Sequence, residues 1–180
     1  MSDAGPVRIL EIPPEQLTDE QKAGIEAVVG GRGRLLTPYK IWIHSPKVMR
    51  AMETLGTFLN KAGSLSEREV ELGIVLIAQH WKGDYVFAAH VKRLRELGVA
   101  EGVIDAIRRG AVPDLASPRE RAIYDIAKTV EQPGPGPDEV FDRATKVLGR
   151  NGLAELLALL GYYSAVAMAM KLHRVPVPAA

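Results

Sequence analysis

The strongest constraint on the fold is a helical repeat of apolar residues that starts directly after a helix-capping signal. Ser66 is followed three residues later by Glu69, which is the capping-box spacing that opens a helix. Behind it, apolar side chains recur at intervals of three and four residues: Val70, Ile74, Ile77, Ala78 and Trp81. Valines and isoleucines elsewhere also keep helical spacing, and no convincing strand pattern competes. The sequence therefore predicts an all-α fold.

Capping and breaking signals place about eight helices along the chain. Thr18 with Gln21 forms another capping box, and Gly30-Gly31 favours the end of that helix. Ser45-Pro46 and Ser117-Pro118 each combine an N-cap with a first-turn proline. The predicted helices cover residues 18–31, 45–62, 66–81, 84–98, 100–109, 117–130, 138–148 and 153–172.

We expect one domain over residues 1–180, because a chain of this length can bury one good core. The Pro- and Gly-rich run at 132–137 is too short to separate domains and is predicted to be a surface turn. Residues 1–17 are predicted to form an irregular N-terminal arm, because their prolines discourage helix. The last predicted helix is apolar nearly all round, so we also expect a homo-oligomer.

Composition argues against several functional classes. The chain has no cysteine, which excludes disulfides, thiolate metal sites and cysteine redox cycles. A net charge of +1 gives no reason to expect nucleic acid or an anionic membrane as a partner. The N-terminus lacks the apolar run of a secretory signal, and the longest uncharged run, 156–170, is shorter than the roughly 20 residues of a spanning helix. We therefore expect a cytoplasmic protein.

Two adjacent predicted helices set ionisable groups at helical spacing in an apolar background. Glu71 shares a face with Ile, Ala and Trp81, where an unpaired carboxylate would be costly to bury. After a break at Gly83, the second helix carries Tyr85 and His90. A tight bend between the helices would bring Glu71, Tyr85 and His90 together. Their carboxylate, phenol and imidazole predict a site for proton transfer.

Structural roles would explain the same residues. A single histidine on an apolar face is commonly satisfied by a backbone carbonyl, which is the alternative for His90. Glu71 could form an ion pair with Arg68 or Lys82. The aromatic side chains, Tyr162 and Tyr163 among them, could simply fill the core. His80 and other histidines lack partners at ligand spacing, so no metal site is predicted.

The connection before residue 46 carries a second group of polar and aromatic side chains. The residues concerned are Arg32, Arg34, Tyr39, Trp42 and His44. Such residues are unusual for a connection and could serve a site. A loop whose aromatic side chains only pack against the core would have the same composition.

Several separated segments agree, in order, with one known family. They are His80-Trp81, Tyr85, Phe87 and His90, the segments 37–39 and 41–46, the run 161–168, and the Val-Pro repeat at 175–178. From about Arg34 onward, the chain resembles the carboxymuconolactone decarboxylase and alkyl hydroperoxidase D-like family. The resemblance implies a single-domain, AhpD-like helical bundle that assembles as a trimer or a hexamer.

The resemblance implies two branches with different chemistry. The hydroperoxidase branch uses a Cys-x-x-Cys pair, and the corresponding positions here are Gly83 and Val86, so thiol peroxidase activity is not expected. The glutamate upstream of that pair corresponds to Glu71. The decarboxylase branch needs neither cysteine nor cofactor and relies on histidine and carboxylate groups. It therefore fits better, and implies a carboxy-lyase of aromatic compound catabolism acting on a small molecule.

In this hypothesis each candidate residue has a role. His90 delivers or shuttles the proton, Glu71 orients His90 or acts as the base, and Tyr85 donates to the enolate oxygen. The candidate substrate-binding residues are Trp81, Phe87, Arg34, Trp42 and His44. Arg34 or His44 would hold the substrate carboxylate. Relatives without the cysteines often carry an acid where Val86 stands, so the alternative is a non-catalytic, oligomeric small-molecule-binding protein of the same fold.

Overall fold

The structure is a computed structural model and describes residues 5–177. Within those residues all regular structure is helical. A 3-10 turn covers Pro14–Gln16, and the α-helices are α1 (Asp19–Arg32), α2 (Thr37–Trp42), α3 (Pro46–Lys61), α4 (Glu67–His80), α5 (Asp84–Glu96), α6 (Glu101–Arg108), α7 (Pro118–Val130) and α8 (Asp138–Leu172). The prediction of an all-α fold with about eight helices is confirmed.

The predicted capping boxes form at the starts of α1 and α4. The Ser66 hydroxyl accepts a hydrogen bond from the Glu69 backbone, and the Ser66 backbone donates to Glu69 Oε2 at 2.8 Å. Thr18 and Gln21 make the same reciprocal pair at the start of α1. These hydrogen bonds satisfy backbone amide groups that have no partner at the start of a helix. Because the residues that make them are three positions apart, both helix starts could be predicted from the sequence.

The end of α1 and the connection that follows it differ from the prediction. Helix α1 continues past Gly30-Gly31 to Arg32 and ends at Gly33, whose φ of 74° supplies the left-handed C-cap. The connection that follows contains the additional helix α2, which Pro38 starts in its first turn. The predicted break after residue 148 is present within α8, because Gly149 adopts a non-helical φ of 73° and ψ of 167° and makes a kink there.

Helix α4 lies at the centre of the fold. Ten consecutive residues, from Glu69 to Ala78, are buried, with α5, α7 and α8 packed around them. A helix covered on all sides needs apolar residues all round, which the run at 72–78 supplies. A smaller cluster, formed by Val28, Tyr39, Ile43 and Met49, joins α1, α2 and α3.

Each of the four buried carboxylates in the described residues has a partner. The pairs are Glu53 with Arg32, Glu69 with Arg119, Glu120 with Arg68, and Glu71 with His90. Because Arg68 bonds to Glu120, the alternative in which Arg68 pairs with Glu71 is wrong. Each partner offsets the free-energy cost of burying a charged carboxylate.

Helix α8 is, among residues 5–177, the one helix long and apolar enough by composition to cross a membrane. Half of its most apolar stretch is buried against the rest of the fold. Core helices share this property, since a long buried helix has the same composition as a spanning one.

Candidate active site

Glu71 and His90 form a hydrogen-bonded pair between α4 and α5. His90 Nδ1 donates to Glu71 Oε2 over 2.8 Å. The bend between the two helices is tight, because Lys82 adopts a left-handed φ of 52° and Gly83 caps α5. The predicted bend therefore brings together two residues that are 19 positions apart.

The second ring nitrogen of His90 is available to a ligand. Within residues 5–177 no hydrogen bond reaches Nε2, and the atom keeps contact with solvent. The His90 side chain is 23% exposed, whereas that of Glu71 is 11% exposed. A carboxylate thus fixes one face of the imidazole, and the opposite nitrogen is the one that can accept or deliver a proton.

Tyr163 of α8 covers one side of the His90 ring. The two ring centroids lie 5.2 Å apart with the planes nearly perpendicular. The Tyr163 hydroxyl donates to Asn60 Oδ1 at 3.0 Å, and burial raises the pKa of this phenol. Tyr163 is therefore a neutral, fixed wall of the site at physiological pH. Sequence analysis assigned Tyr163 to packing. The feature that could have indicated its place at the site is the pair of adjacent tyrosines in an otherwise aliphatic helix.

A buried aromatic cluster extends from Tyr163 toward α2. The rings of Tyr162 and Tyr163 lie 5.1 Å apart, and the hydroxyls of Tyr162 and Tyr39 share a hydrogen bond of 3.2 Å. Trp42 meets both Tyr39 and Tyr162 edge-on, at centroid distances of 5.5 and 6.2 Å. Trp42 thus joins the site through this cluster rather than by touching His90.

The cluster ends at the ion pair of Arg32 and Glu53. Arg32 Nε donates to Glu53 Oε2 at 2.6 Å, and the guanidinium carbon lies 5.4 Å from the Tyr39 ring centroid. The Thr57 hydroxyl donates to the other oxygen of Glu53 at 2.6 Å. Burial alone would raise the pKa of Glu53, but hydrogen bonds from Thr57, Tyr39 and Arg32 outweigh it and hold this pKa below its usual value. Both partners are therefore charged.

The polar atoms of Tyr85 and Trp81 bond to residues other than Glu71 and His90. The Tyr85 hydroxyl donates to Thr37 Oγ1 at 3.1 Å. Trp81 Nε1 donates to Ser164 Oγ at 2.9 Å. Both bonds join the bend between α4 and α5 to neighbouring helices, so these two side chains brace the bend.

The remaining candidate residues lie at the surface. Phe87 packs beneath the guanidinium of Arg108 at 5.4 Å and lines a groove of about 710 Å³ on the outer side of α5. Arg34 is exposed, and His44 Nε2 meets the backbone carbonyl of Leu10 at 2.9 Å. In the described part of the chain, no group of three His, Asp or Glu residues gathers as a metal site would require.

Residues 46–129 match the model of the carboxymuconolactone decarboxylase family. This match supports the family resemblance that the sequence indicated. The matched range runs from α3 into α7 and contains both Glu71 and His90. Arg32, Tyr39 and Tyr162 lie outside it, so the buried cluster adds to the family segment from both sides.

Solved structures share the fold of this chain. A protein of unknown function from Agrobacterium tumefaciens, described as a candidate antioxidant defence protein AhpD, is 17% identical with a TM-score of 0.68, over 78% of this chain and 97% of that one. The debrominase Bmp8, solved as a cysteine-to-alanine variant with 2,3,4-tribromopyrrole, is 11% identical with a TM-score of 0.73, over 97% of this chain and 93% of that one. These identities establish the fold alone. Comparison with curated proteins gives no match.

Core packing occupies the two positions that the resemblance assigns to thiols. Gly83 lies so close to α8 that a Cβ there would be 3.0 Å from the Ala167 Cβ. Val86 is buried, with 2% of its surface exposed. Both positions hold α5 against the core, and neither supplies a nucleophile.

Proposed function

We propose that this protein is a cofactor-free acid–base enzyme that decarboxylates or isomerises a small carboxylated or lactone metabolite. The observation that carries the proposal is the Glu71–His90 pair, with Nδ1 held at 2.8 Å by a carboxylate and Nε2 open. A carboxylate behind an imidazole fixes its orientation and stabilises its protonated form in serine hydrolases. The same arrangement suits proton transfer to carbon.

The proposed decarboxylation needs one proton-transfer group. The bond between the carboxylate carbon and the ring carbon breaks, carbon dioxide leaves, and the electron pair passes to a conjugated carbonyl. His90 delivers the proton on Nε2 to carbon and then regains one from solvent, while Glu71 stabilises the imidazolium. In an isomerisation, the same nitrogen takes a proton from one carbon and returns it to another.

The surroundings of His90 support a small, flat substrate. The Tyr163 ring stands edge-on to the imidazole at 5.2 Å and excludes water from that side. The Bmp8 structure contains 2,3,4-tribromopyrrole, a small aromatic ring held by a protein of this fold. This likeness supports the size class of the substrate and not its identity.

One observation favours the alternative of a small-molecule-binding protein without catalysis. The Tyr85 hydroxyl, our expected donor to the enolate oxygen, bonds to Thr37 instead. A binding protein would need a place for the ligand but no such donor. The alternative predicts that lactone acids bind without turnover and that His90 affects only affinity or stability.

We further propose that the protein is a cytoplasmic homo-oligomer. Leu157, Met168 and Leu172 of α8 are 45%, 44% and 66% exposed. Their spacing of eleven and four residues places them on one stripe of the helix. An exposed apolar stripe supports contact with a second copy, and light scattering of the purified protein would measure the assembly.

The catalytic proposal is tested by turnover of 4-carboxymuconolactone and related lactone acids, followed by ultraviolet absorbance. His90→Ala should lower kcat roughly a hundredfold or more, and Glu71→Gln should lower it less. Matched controls are His173→Ala, whose Nδ1 meets the Ala169 carbonyl, and Glu67→Gln, whose exposed carboxylate pairs with Arg93. Both controls should keep wild-type rates.

Retained turnover in folded His90→Ala protein would reject the catalytic role of His90. Binding of lactone acids by the wild-type protein with no turnover of any of them would support the alternative instead. Thermal unfolding of every variant separates loss of chemistry from loss of fold.

A further inference from the structure

A cavity of about 260 Å³ lies between the end of α4, the end of α7 and the middle of α8. An apolar cavity of about 150 Å³ holds benzene, so this one has room for a single ring with a small substituent. Neither Glu71 nor His90 lines it, so it is separate from the candidate active site. Its lining combines the apolar residues Ile77, Trp81 and Leu160 with the polar residues His80, Glu131 and Ser164.

Glu131 places a carboxylate in the wall of this cavity. Its side chain is 7% exposed, and Lys128 Nζ donates to both carboxylate oxygens, at 3.2 and 2.9 Å. An anionic ligand would meet this carboxylate without a cation of its own, and a cationic ligand would compete with Lys128. The wall therefore favours a ligand without net charge.

His80 and Ser164 have hydrogen-bonding capacity that the described part of the chain does not use. No hydrogen bond within residues 5–177 reaches either ring nitrogen of His80, whose Nδ1 lies 3.7 Å from Glu131 Oε2. The Ser164 hydroxyl accepts from Trp81 Nε1 at 2.9 Å, and among the same residues its own proton has no acceptor. A hydroxyl group on a ligand can accept from Ser164 and donate to His80 at the same time.

Aromatic and apolar side chains give the rest of the cavity its shape. The His80 and Trp81 rings meet edge to face, with centroids 5.3 Å apart. A Cβ at Gly161 would have no atom within 4 Å, so the missing side chain leaves this space open. Val130 and Leu157 line the cavity and are 48% and 45% exposed, which makes its rim apolar. Apolar walls around a few polar groups are typical of small-molecule sites.

We propose that this cavity is a second small-molecule site, which binds a neutral monocyclic compound with a hydroxyl group, such as a phenol. The ring packs against Trp81 and Leu160, and the hydroxyl group accepts from Ser164 and donates to His80. This site goes beyond the proposed function and does not depend on it, because Glu71 and His90 lie outside the cavity.

A second copy of the chain is the competing occupant. Leu157 lines the cavity and also belongs to the apolar stripe proposed for self-association. Met168 and Leu172 extend that stripe beyond the cavity and do not line it. The double variant Met168→Glu with Leu172→Glu should therefore disrupt self-association, measured by light scattering, and leave the cavity walls unchanged.

The test compares phenol with toluene and benzoate, which are titrated into the full chain and followed by calorimetry or NMR. Phenol should bind roughly tenfold more tightly than toluene, which makes neither hydrogen bond. Benzoate should bind less tightly than phenol, because its charge faces Glu131. The chain has two tryptophans, so in Trp42→Phe protein the fluorescence comes from Trp81 alone and should change when phenol binds.

Variants of the cavity wall distinguish filling from hydrogen bonding. Gly161→Leu occupies the open space and should weaken phenol and toluene alike, by roughly tenfold or more. Gly102→Leu in α6 is the matched control, because a Cβ there also has no atom within 4 Å, and it should bind both probes as the wild type does.

Two variants remove one hydrogen bond each. Ser164→Ala and His80→Leu should each weaken phenol roughly three- to tenfold and leave toluene unchanged. Ser164→Ala also takes the acceptor from Trp81 Nε1, whereas His80→Leu breaks no hydrogen bond of the described residues. Thermal unfolding of both variants therefore separates loss of binding from loss of fold.

The proposal fails if phenol does not bind, if toluene or benzoate binds as tightly, or if Gly161→Leu binds phenol as the wild type does. Phenol binding that appears only in the Met168→Glu, Leu172→Glu protein would assign the cavity to a second copy instead. Phenol binding that is lost in His90→Ala but kept in Gly161→Leu would place phenol at the candidate active site and also overturn the proposal.

Discussion

Tyr39 and Tyr162 are 123 positions apart in the sequence, and their hydroxyl oxygens lie 3.2 Å apart in a shared hydrogen bond. Both side chains are buried. The bond joins α2, a helix of six residues, to the long helix that carries Tyr163. A short connection thus helps to fix the wall of the candidate active site.

Removal of either hydroxyl should weaken the fold. Tyr39→Phe should lower the free energy of unfolding by about 1 kcal/mol, because the Tyr162 hydroxyl then stays buried without this partner. Tyr162→Phe should act similarly. The double variant should cost less than the sum of the two, since no orphaned hydroxyl remains. Urea unfolding of the wild type, the two single variants and the double variant measures the coupling energy between the two hydroxyls. Losses of stability that are strictly additive would contradict the prediction.

Gly56→Ala should be clearly destabilising. The new Cβ would lie 2.4 Å from the Tyr162 hydroxyl, and overpacking of this kind costs roughly 1–3 kcal/mol. Gly102→Ala in α6 is the matched control, because no atom of its surroundings lies within 4 Å of a Cβ there. Thermal unfolding should show a large loss for Gly56→Ala and none for Gly102→Ala. Equal behaviour would show that Tyr162 can move aside.

Stability at acidic pH should depend on Glu69. Burial alone would raise its pKa, but hydrogen bonds from Arg119 and Ser66 hold the pKa below the ordinary value of 4.5. The contribution of Glu69 is thus complete above about pH 4.5 and is lost as pH falls through its folded pKa. Glu69→Gln should lower the free energy of unfolding by roughly 1–2 kcal/mol near neutral pH. The difference in stability between wild type and variant should become smaller as the pH falls. Urea unfolding at several pH values measures this difference in stability, and a difference that stays constant as the pH falls would contradict the prediction.

Stability at alkaline pH should depend on the tyrosine cluster. Burial raises the pKa of Tyr39, Tyr162 and Tyr163 above the ordinary value of 10. Their contribution is present below pH 10 and is lost at higher pH, because the unfolded chain ionises first. The absorbance of tyrosinate from these residues should therefore appear together with unfolding. In Tyr163→Phe, the free energy of unfolding should fall less steeply above pH 10 than in the wild type. Ionisation of these tyrosines while the protein is still folded would contradict the prediction.

The parts of the site that the sequence predicted are those set by local spacing. The capping box at Ser66 and the break at Gly83 defined two helices, and helical period placed Glu71 and His90 on facing sides. Their hydrogen bond follows from a bend between neighbouring helices. Such contacts depend on about twenty consecutive residues, so a pattern can indicate them.

The parts that sequence reasoning missed depend on distant contacts. Arg32 and Arg34 have the same chemistry and nearly the same position in the chain, and only tertiary packing buries one and exposes the other. Tyr163 was assigned to packing because no local pattern relates α8 to His90. Tyr85 was placed beside His90, and a partner on α2 now accounts for its hydroxyl.

The tight packing of Gly83 against Ala167 also limits how this protein can evolve. A cysteine at position 83 would bring its Cβ within 3.0 Å of the Ala167 Cβ and 3.4 Å of the Ala78 carbonyl oxygen, neither of which is a flexible side-chain end. Helices α5 and α8 would have to move apart by a few tenths of an ångström to accommodate the new Cβ. Acquisition of peroxide chemistry would therefore begin with a loss of stability at this contact, which a compensating change on α8 could offset.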